Sequence, residues 1–137
     1  MAEDHVRASR AAIARVTREA DGDDAPVLML NLNRYSVEAG FPDGDDYRLY
    51  MSRLEHAVQA DGGSVLWRTS VIDAVIGCDH DDYDEILAVW YPSHSAFLEL
   101  PNADGAALMF ESRKQCVAHA TILALPADRY PLTPPQT

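Results

Sequence analysis

The chain has 137 residues, of which 47% are hydrophobic and 24% charged, a composition typical of one ordinary globular domain. Its formal net charge of -11 disfavours nucleic acid and anionic membrane surfaces as partners, because both repel an acidic protein. No apolar stretch approaches the roughly 20 residues of a membrane-spanning helix. The N-terminus lacks the apolar core of a signal peptide, and the two cysteines form no CxxC pair, so we expect a cytoplasmic protein with reduced thiols.

The first predicted element is a short amphipathic helix over residues 5–20, in which Val6, Ile13 and Val16 recur at approximately helical spacing. Its apolar stripe is thin, and the breaker "DGDDAP" follows it. We therefore expect residues 1–25 to be an N-terminal helical extension that lies on the domain.

The second predicted element is a strand over residues 26–34 that contains "VLMLNLNR". Period two places the three leucines on one face and four other residues, Val27, Met29, Asn31 and Asn33, on the opposite face. We expect the leucines to pack against helices. Met29 and the side-chain amides of Asn31 and Asn33 would then face the element or partner that covers the other side of the sheet.

The remaining elements follow in the order helix, strand, strand, helix, strand. Asp43 or Asp45 can cap a helix that stops at Gly62, and the acidic loop after "SVLWRTSVIDAVIG" predicts an antiparallel pairing with "YDEILAVWY". Ser93 or Ser95 can cap the next helix, which Pro101 interrupts before a second helical segment over residues 103–115. The last strand is "CVAHATILAL", and residues 127–137 form a proline-rich tail.

The order β-α-β-β-α-β over residues 26–126 predicts an α+β, ferredoxin-like domain with a four-stranded antiparallel sheet. Its two helices can cover only one face of that sheet. A second copy of the chain is the economical cover for the other face, so we expect a homodimer.

Four features resemble the DUF1330 family of the dimeric α+β barrel superfamily: "VLMLNLNRY", "YRLYMSRLEHAVQADGGSVLWR", "IGCDHDDYDEILAVWYPSHSAFLEL" and Arg113. The resemblance spans residues 26–126. It implies a dimer whose two sheets form a barrel, with a small-molecule pocket either inside the barrel or between each sheet and its helices. The chain departs from the family pattern at Asn33, Tyr83 and Trp90, and an indole at position 90 would favour a flat apolar or aromatic ligand.

Polar residues on predicted core elements are the candidate catalytic groups. Asn31 and Asn33 could donate hydrogen bonds to a substrate carbonyl or a developing oxyanion, or they could simply satisfy the backbone at the strand end. His119 or Tyr50 could move a proton, although a lone histidine on an apolar face is more often a core residue. Related barrels that oxidise polyketide-like substrates use Asn, Trp and Tyr side chains, so this resemblance points the same way.

Further residues are candidates for binding a substrate. Arg113 could bind a carboxylate or phenolate of a ligand. The alternative is a surface ion pair with Glu111 or with an acidic loop. The full set of candidate binding residues is Met29, Arg34, Trp67, Trp90, His94, Phe97, Met109 and Arg113.

Motifs for other chemistries are missing from the sequence. "CDHDDYDE" lacks the spacing of a calcium loop, and the chain has no HExxH, GxSxG, GxGxxG or P-loop motif, so we expect neither a metal nor another cofactor. The sequence favours an enzyme that acts on an aromatic or polyketide-like molecule by proton transfer with oxygenation, cyclisation or isomerisation. A non-catalytic ligand-binding or stress-associated dimer is the alternative. Haem binding through His94 or His119 is a weaker one.

Overall fold

The structure, a computed structural model, describes residues 9–127, so the start of the first predicted helix and residues 128–137 of the tail lie outside the described part. Four α-helices and four strands make up the fold. Their bounds are α1 Arg10–Asp21, β1 Val27–Tyr35, α2 Asp45–Ala60, β2 Ser64–Ser70, β3 Glu85–Tyr91, α3 His94–Glu99, α4 Ala106–Cys116 and β4 Val117–Pro126.

The strands form one antiparallel sheet in the order β2-β3-β1-β4, which is the order of a ferredoxin-like domain. β1 lies in the interior between β3 and β4, and α2 packs against α4. The predicted α+β, ferredoxin-like fold is therefore confirmed. No described helix is long and apolar enough to cross a membrane.

The prediction for the two faces of β1 is wrong. Val27 and Met29 belong to the core cluster with the helix residues Tyr50 and Met109, so this set of alternating residues faces the helices. The three leucines of β1 pair with Trp90, Ala88 and Ile86 of β3, on the opposite face of the sheet. The partner strand decides the side, since Leu87 and Val89 of β3 belong to the helix-facing core.

Two element boundaries also differ from the prediction. β2 ends at Ser70, which pairs with Glu85, the first residue of β3. The residue at the N-cap of α2 is Gly44 rather than an aspartate. A Cβ at Gly44 would lie 2.7 Å from the Cα of Gly40, so the tight turn before the helix leaves room only for glycine. At α3 the predicted cap is found, since Ser93 Oγ accepts from the backbone N–H of Ala96 at 3.0 Å.

Helix α1 lies against α3 at one edge of the domain. Val16 is its one buried residue among those described. Two contacts hold the connection from α1 to β1: Asp24 Oδ1 accepts from the N–H of Ser95 at 2.8 Å, and the carbonyl of Ala25 lies 2.7 Å from His94 Nδ1. The helix is therefore attached by few contacts, as its thin apolar stripe predicts.

The face of the sheet away from the helices is largely apolar. The loop from residue 71 to 84 carries three fully exposed aliphatic side chains, Ile72, Val75 and Ile76, in the part of the chain that connects β2 to β3. Leu123 on β4, which pairs with Leu30, is 48% exposed on the same face as Trp67 and Trp90.

Both cysteines are free, Cys78 exposed and Cys116 buried.

Candidate functional site

A cavity of about 1130 Å³ lies between the helix-facing side of the sheet and helices α1, α2, α3 and α4. Its size is slightly above that of typical small-molecule sites, which are about 300 to 1,000 Å³. Apolar side chains form most of its wall, among them Met29, Leu54, Val89, Phe97, Leu100 and Met109. Helix α1 packs on α3 and forms one wall of the space between the sheet and the other helices.

Polar residues of different elements reach this mainly apolar cavity, among them Asn31 on β1, Tyr50 on α2, His94 at the start of α3 and Arg113 on α4. Around α1 and on β4 the wall also includes the polar residues Ser9, Arg15, Glu19, Asp23 and Thr121. Convergent polar groups in a mainly apolar wall are typical of sites that orient a ligand. The first four groups come from four different elements, so the folded domain is needed to bring them together.

Tyr50 and Arg113 interact with each other at the cavity wall. Burial raises the pKa of the Tyr50 hydroxyl to about 12, against the opposing effect of the charge and N–H groups of Arg113. Tyr50 is only 2% exposed. At neutral pH its phenol is therefore protonated and can donate a hydrogen bond, but it cannot act as a base.

The side-chain amide of Asn31 is hydrogen-bonded to the backbone of its own strand. Its Nδ2 donates to the carbonyl of Met29 at 3.1 Å. An amide nitrogen carries two N–H groups, so the second one and the carbonyl oxygen remain for a ligand in the cavity. The geometry is compatible with the donor role expected from the sequence.

His94 is oriented by a backbone carbonyl. Its Nδ1 lies 2.7 Å from the carbonyl oxygen of Ala25, which can only accept, so Nδ1 carries the proton. In the neutral ring, Nε2 is then the acceptor. His94 is the cavity residue best suited to take a proton.

Five of the twelve candidate residues are not in the cavity wall. Trp67 and Trp90 lie on the opposite face of the sheet with His119, whose ring stacks on Tyr83 at 5.4 Å. Arg34 is bound to Asp82 at 2.9 Å. Asn33 is buried just beyond the cavity. The expectation that the indoles share a pocket with Asn31 does not fit this geometry.

The other seven candidates line the cavity: Asn31, Tyr50, Met29, His94, Phe97, Met109 and Arg113. Of the two histidines considered as haem ligands, only His94 is among them. In residues 9–127 no group of three histidine, cysteine, aspartate or glutamate side chains is placed to hold a metal ion.

A buried polar network next to the cavity is a feature that the sequence did not predict. Glu85 is 4% exposed and accepts hydrogen bonds from the hydroxyls of Tyr35 and Tyr47, both at 2.6 Å. Arg68 donates to Tyr47 at 2.8 Å, and Asn33 Nδ2 donates to Tyr35 at 3.2 Å. Burial and the Glu85 carboxylate raise the pKa of both phenols well above the usual range.

This network explains the second amide of β1. Asn33 contributes to the buried network through Nδ2, while its Oδ1 has no hydrogen-bond partner in the described part of the chain. The aromatic rings of Tyr35, Phe41 and Tyr47 pack on each other at 5.0 to 5.2 Å around it. The sequence signal that could have found the network is the glutamate at the first position of an otherwise apolar strand.

Comparison with known proteins extends the description of the fold. No protein-family model and no curated protein matches the chain. A solved structure of a protein of unknown function from Rhodopseudomonas palustris, RPA0582, is similar with 25% identity and a TM-score of 0.72, covering 95% of this chain and 98% of that one. The similarity thus extends over nearly the full length of both chains.

Two more distant structures share the fold. A dabb family protein with a ferredoxin-like fold from Mesorhizobium loti has 9% identity and a TM-score of 0.55 over 73% of this chain and 94% of its own. A hydroxynitrile lyase from Passiflora edulis has 9% identity and a TM-score of 0.59 over 78% of this chain and 97% of its own. At this identity the likeness concerns the fold alone.

Proposed function

We propose that the chain binds and transforms an apolar, aromatic or polyketide-like small molecule in the cavity between its sheet and its helices. The observation that carries the proposal is the convergence of Asn31, Tyr50, His94 and Arg113 on a cavity whose wall is mostly apolar. The hydroxynitrile lyase of the same fold supports it by analogy only, since it is an enzyme with a small-molecule substrate.

The proposed chemistry is proton transfer, coupled to oxygenation, cyclisation or isomerisation. Asn31 and the protonated Tyr50 donate hydrogen bonds to a substrate oxygen, which stabilises negative charge as it develops there. His94 takes the proton at Nε2, in the role that the sequence suggested for His119.

The proposal extends to family and assembly. We propose kinship with the DUF1330 family on the basis of the sequence resemblance, and the ferredoxin-like strand order is compatible with it. A homodimer that pairs the helix-free faces of two sheets is part of the proposal. The exposed Leu123 and the apolar face around it support this arrangement.

The test is turnover of a panel of phenolic and polyketide-like compounds, followed by mass spectrometry of the products. In Asn31→Ala we expect turnover to fall by about 100-fold, the usual loss when one oxyanion donor is removed. Thermal unfolding of the variant should stay within a few degrees of the parent, since Asn31 is only partly buried.

The matched control is Asn102→Ala, an exposed asparagine on the short turn after α3. It should not change turnover. Tight binding of a compound without any product would contradict the catalytic part and favour the alternative, a non-catalytic binding protein with the same cavity.

A further inference from the structure

We infer that the ligand of the cavity is an apolar molecule with a carboxylate, and that Arg113 binds this carboxylate. The inference rests on the proposed function, because it names the chemical class that the same cavity takes. It goes further in assigning the charge of the ligand and the side chain that selects it.

The first observation is that the charge of Arg113 is not neutralised by the protein. Within residues 9–127, Arg34, Arg48 and Arg68 each have a carboxylate within 4.0 Å. In this same part of the chain Arg113 has none, and shares this lack with Arg10, Arg15, Arg18 and Arg53. The chain has 22 acidic and 11 basic side chains, so acidic partners are plentiful. The alternative considered for Arg113, a surface ion pair with Glu111, is not formed.

The second observation is the surroundings of Arg113. Met109 and Phe110 lie one turn before it on α4, and the neutral Tyr50 interacts with it. An arginine beside apolar surface retains its charge, and its planar fork matches the two oxygens of a carboxylate. A carboxylate ligand would supply the partner that the protein does not.

The third observation is that a second donor lies beside the guanidinium. Because the Tyr50 phenol is protonated at neutral pH, it offers an O–H next to the N–H groups of Arg113. An anionic oxygen accepts from both, whereas an amine or a cation would be repelled. The pair is therefore selective for an anion.

The fourth observation concerns the two ends of the cavity. Glu19 and Asp23 line the end where α1 leads into β1. Arg113 lies one turn before β4, whose Ala120 pairs with Asn33 near the far end of β1. Arg15 of α1 also lines this part of the cavity, so the charge there is one positive against two negative and remains negative. The anionic group of the ligand is therefore directed to Arg113 and its apolar body toward α1.

The experiment compares two flat probes of nearly equal shape, 2-naphthoate and its neutral amide 2-naphthamide, by isothermal titration calorimetry at neutral pH with the full chain. We expect the carboxylate to bind more tightly to the parent protein. Arg113→Met should weaken 2-naphthoate by about tenfold or more and change 2-naphthamide much less. Arg113→Lys should recover part of the loss and serves as the second variant should the methionine protein not fold.

Two further variants are controls for charge. Arg48→Met removes a positive charge from an exposed position of α2 outside the cavity and should leave both affinities unchanged. Arg15→Met removes the other arginine of the cavity wall, which is exposed on α1. A loss of 2-naphthoate binding in Arg15→Met but not in Arg113→Met would overturn the assignment.

The outcomes separate the inference from the proposed function. Equal binding of both probes, unchanged by Arg113→Met, would overturn the carboxylate class and leave a small-molecule cavity in place. Failure of both probes to bind the parent protein would contradict the proposed function, and the inference with it.

Discussion

At the scale of single residues, environment decides what each polar side chain can do. Tyr50 and Tyr35 are both buried phenols, but Tyr50 faces the cavity beside a cation, whereas Tyr35 is bound to a buried carboxylate. The first can donate to a ligand. The second stabilises Glu85, whose burial without such donors would cost several kcal/mol.

The negative charge of Asp61 destabilises the folded state. It occupies the C-cap of α2, where the helix dipole is negative, and its buried Oδ2 has no hydrogen-bond partner in the described residues. Burial, and next the charge of Glu99, raise the pKa of this carboxyl above its usual 3.8. The folded state therefore binds the proton more tightly than the unfolded state does.

Asp61→Asn is expected to raise the free energy of unfolding at neutral pH by about 0.5 to 1 kcal/mol, because it removes a charge from the negative end of the helix. A raised folded-state pKa means that stability is lost as the pH rises through that pKa, so the advantage of the variant should vanish below about pH 4. Urea unfolding at both pH values measures it. A variant that is less stable at pH 7 would contradict this account.

At the scale of elements, the order and pairing of the strands follow from sequence pattern, but the side that β1 presents to the helices does not. Period two sorts its residues into two sets, and here both sets contain large apolar residues, Leu28 and Leu30 in one, Val27 and Met29 in the other. Register with β3 makes the choice, since Met29 lies opposite Val89 and Asn31 opposite Leu87.

For the same reason, only part of the candidate site could be predicted from the sequence. Tyr50, Met109 and Arg113 lie on predicted helices and line the cavity. Those on strands depended on the side of the sheet, and Trp67 and Trp90 lie on the other side. The Glu85 network joins residues up to 50 positions apart, and no local pattern reports such a contact.

Helix α1 forms one wall of the cavity but is attached mainly through Val16. We expect Val16→Asp to release this helix while the sheet stays folded, because a buried charge without a partner costs more than the helix gains from its few contacts. Hydrogen exchange should show loss of amide protection in Arg10–Asp21 with β1 unchanged.

The control for α1 is Ala14→Asp, which places the same charge at an exposed position of the same helix and should retain the protection. Global unfolding of Val16→Asp would show instead that α1 is an integral part of the core.

At the scale of the whole molecule, the helix layer covers one face of the sheet and the proposed partner copy covers the other. The proposal predicts a particle with the mass of two 15.1 kDa chains in analytical ultracentrifugation. Leu123→Arg on β4 should shift it to the monomer, whereas Leu108→Arg on α4, where the side chain is 51% exposed, should not. A monomeric parent protein would contradict the pairing.

The central claim is that the cavity between sheet and helices holds a small apolar molecule, and methyl NMR tests it most directly. Met29 and Met109 line the cavity, and Met51 is buried in the core outside its wall. On titration with 2-naphthol, a neutral flat phenol, the methyl signals of Met29 and Met109 should shift and that of Met51 should not. A ¹H–¹⁵N spectrum of the same titration reports the indole N–H signals of Trp67 and Trp90, which lie on the opposite face of the sheet. Shifts confined to these indole signals would contradict the account.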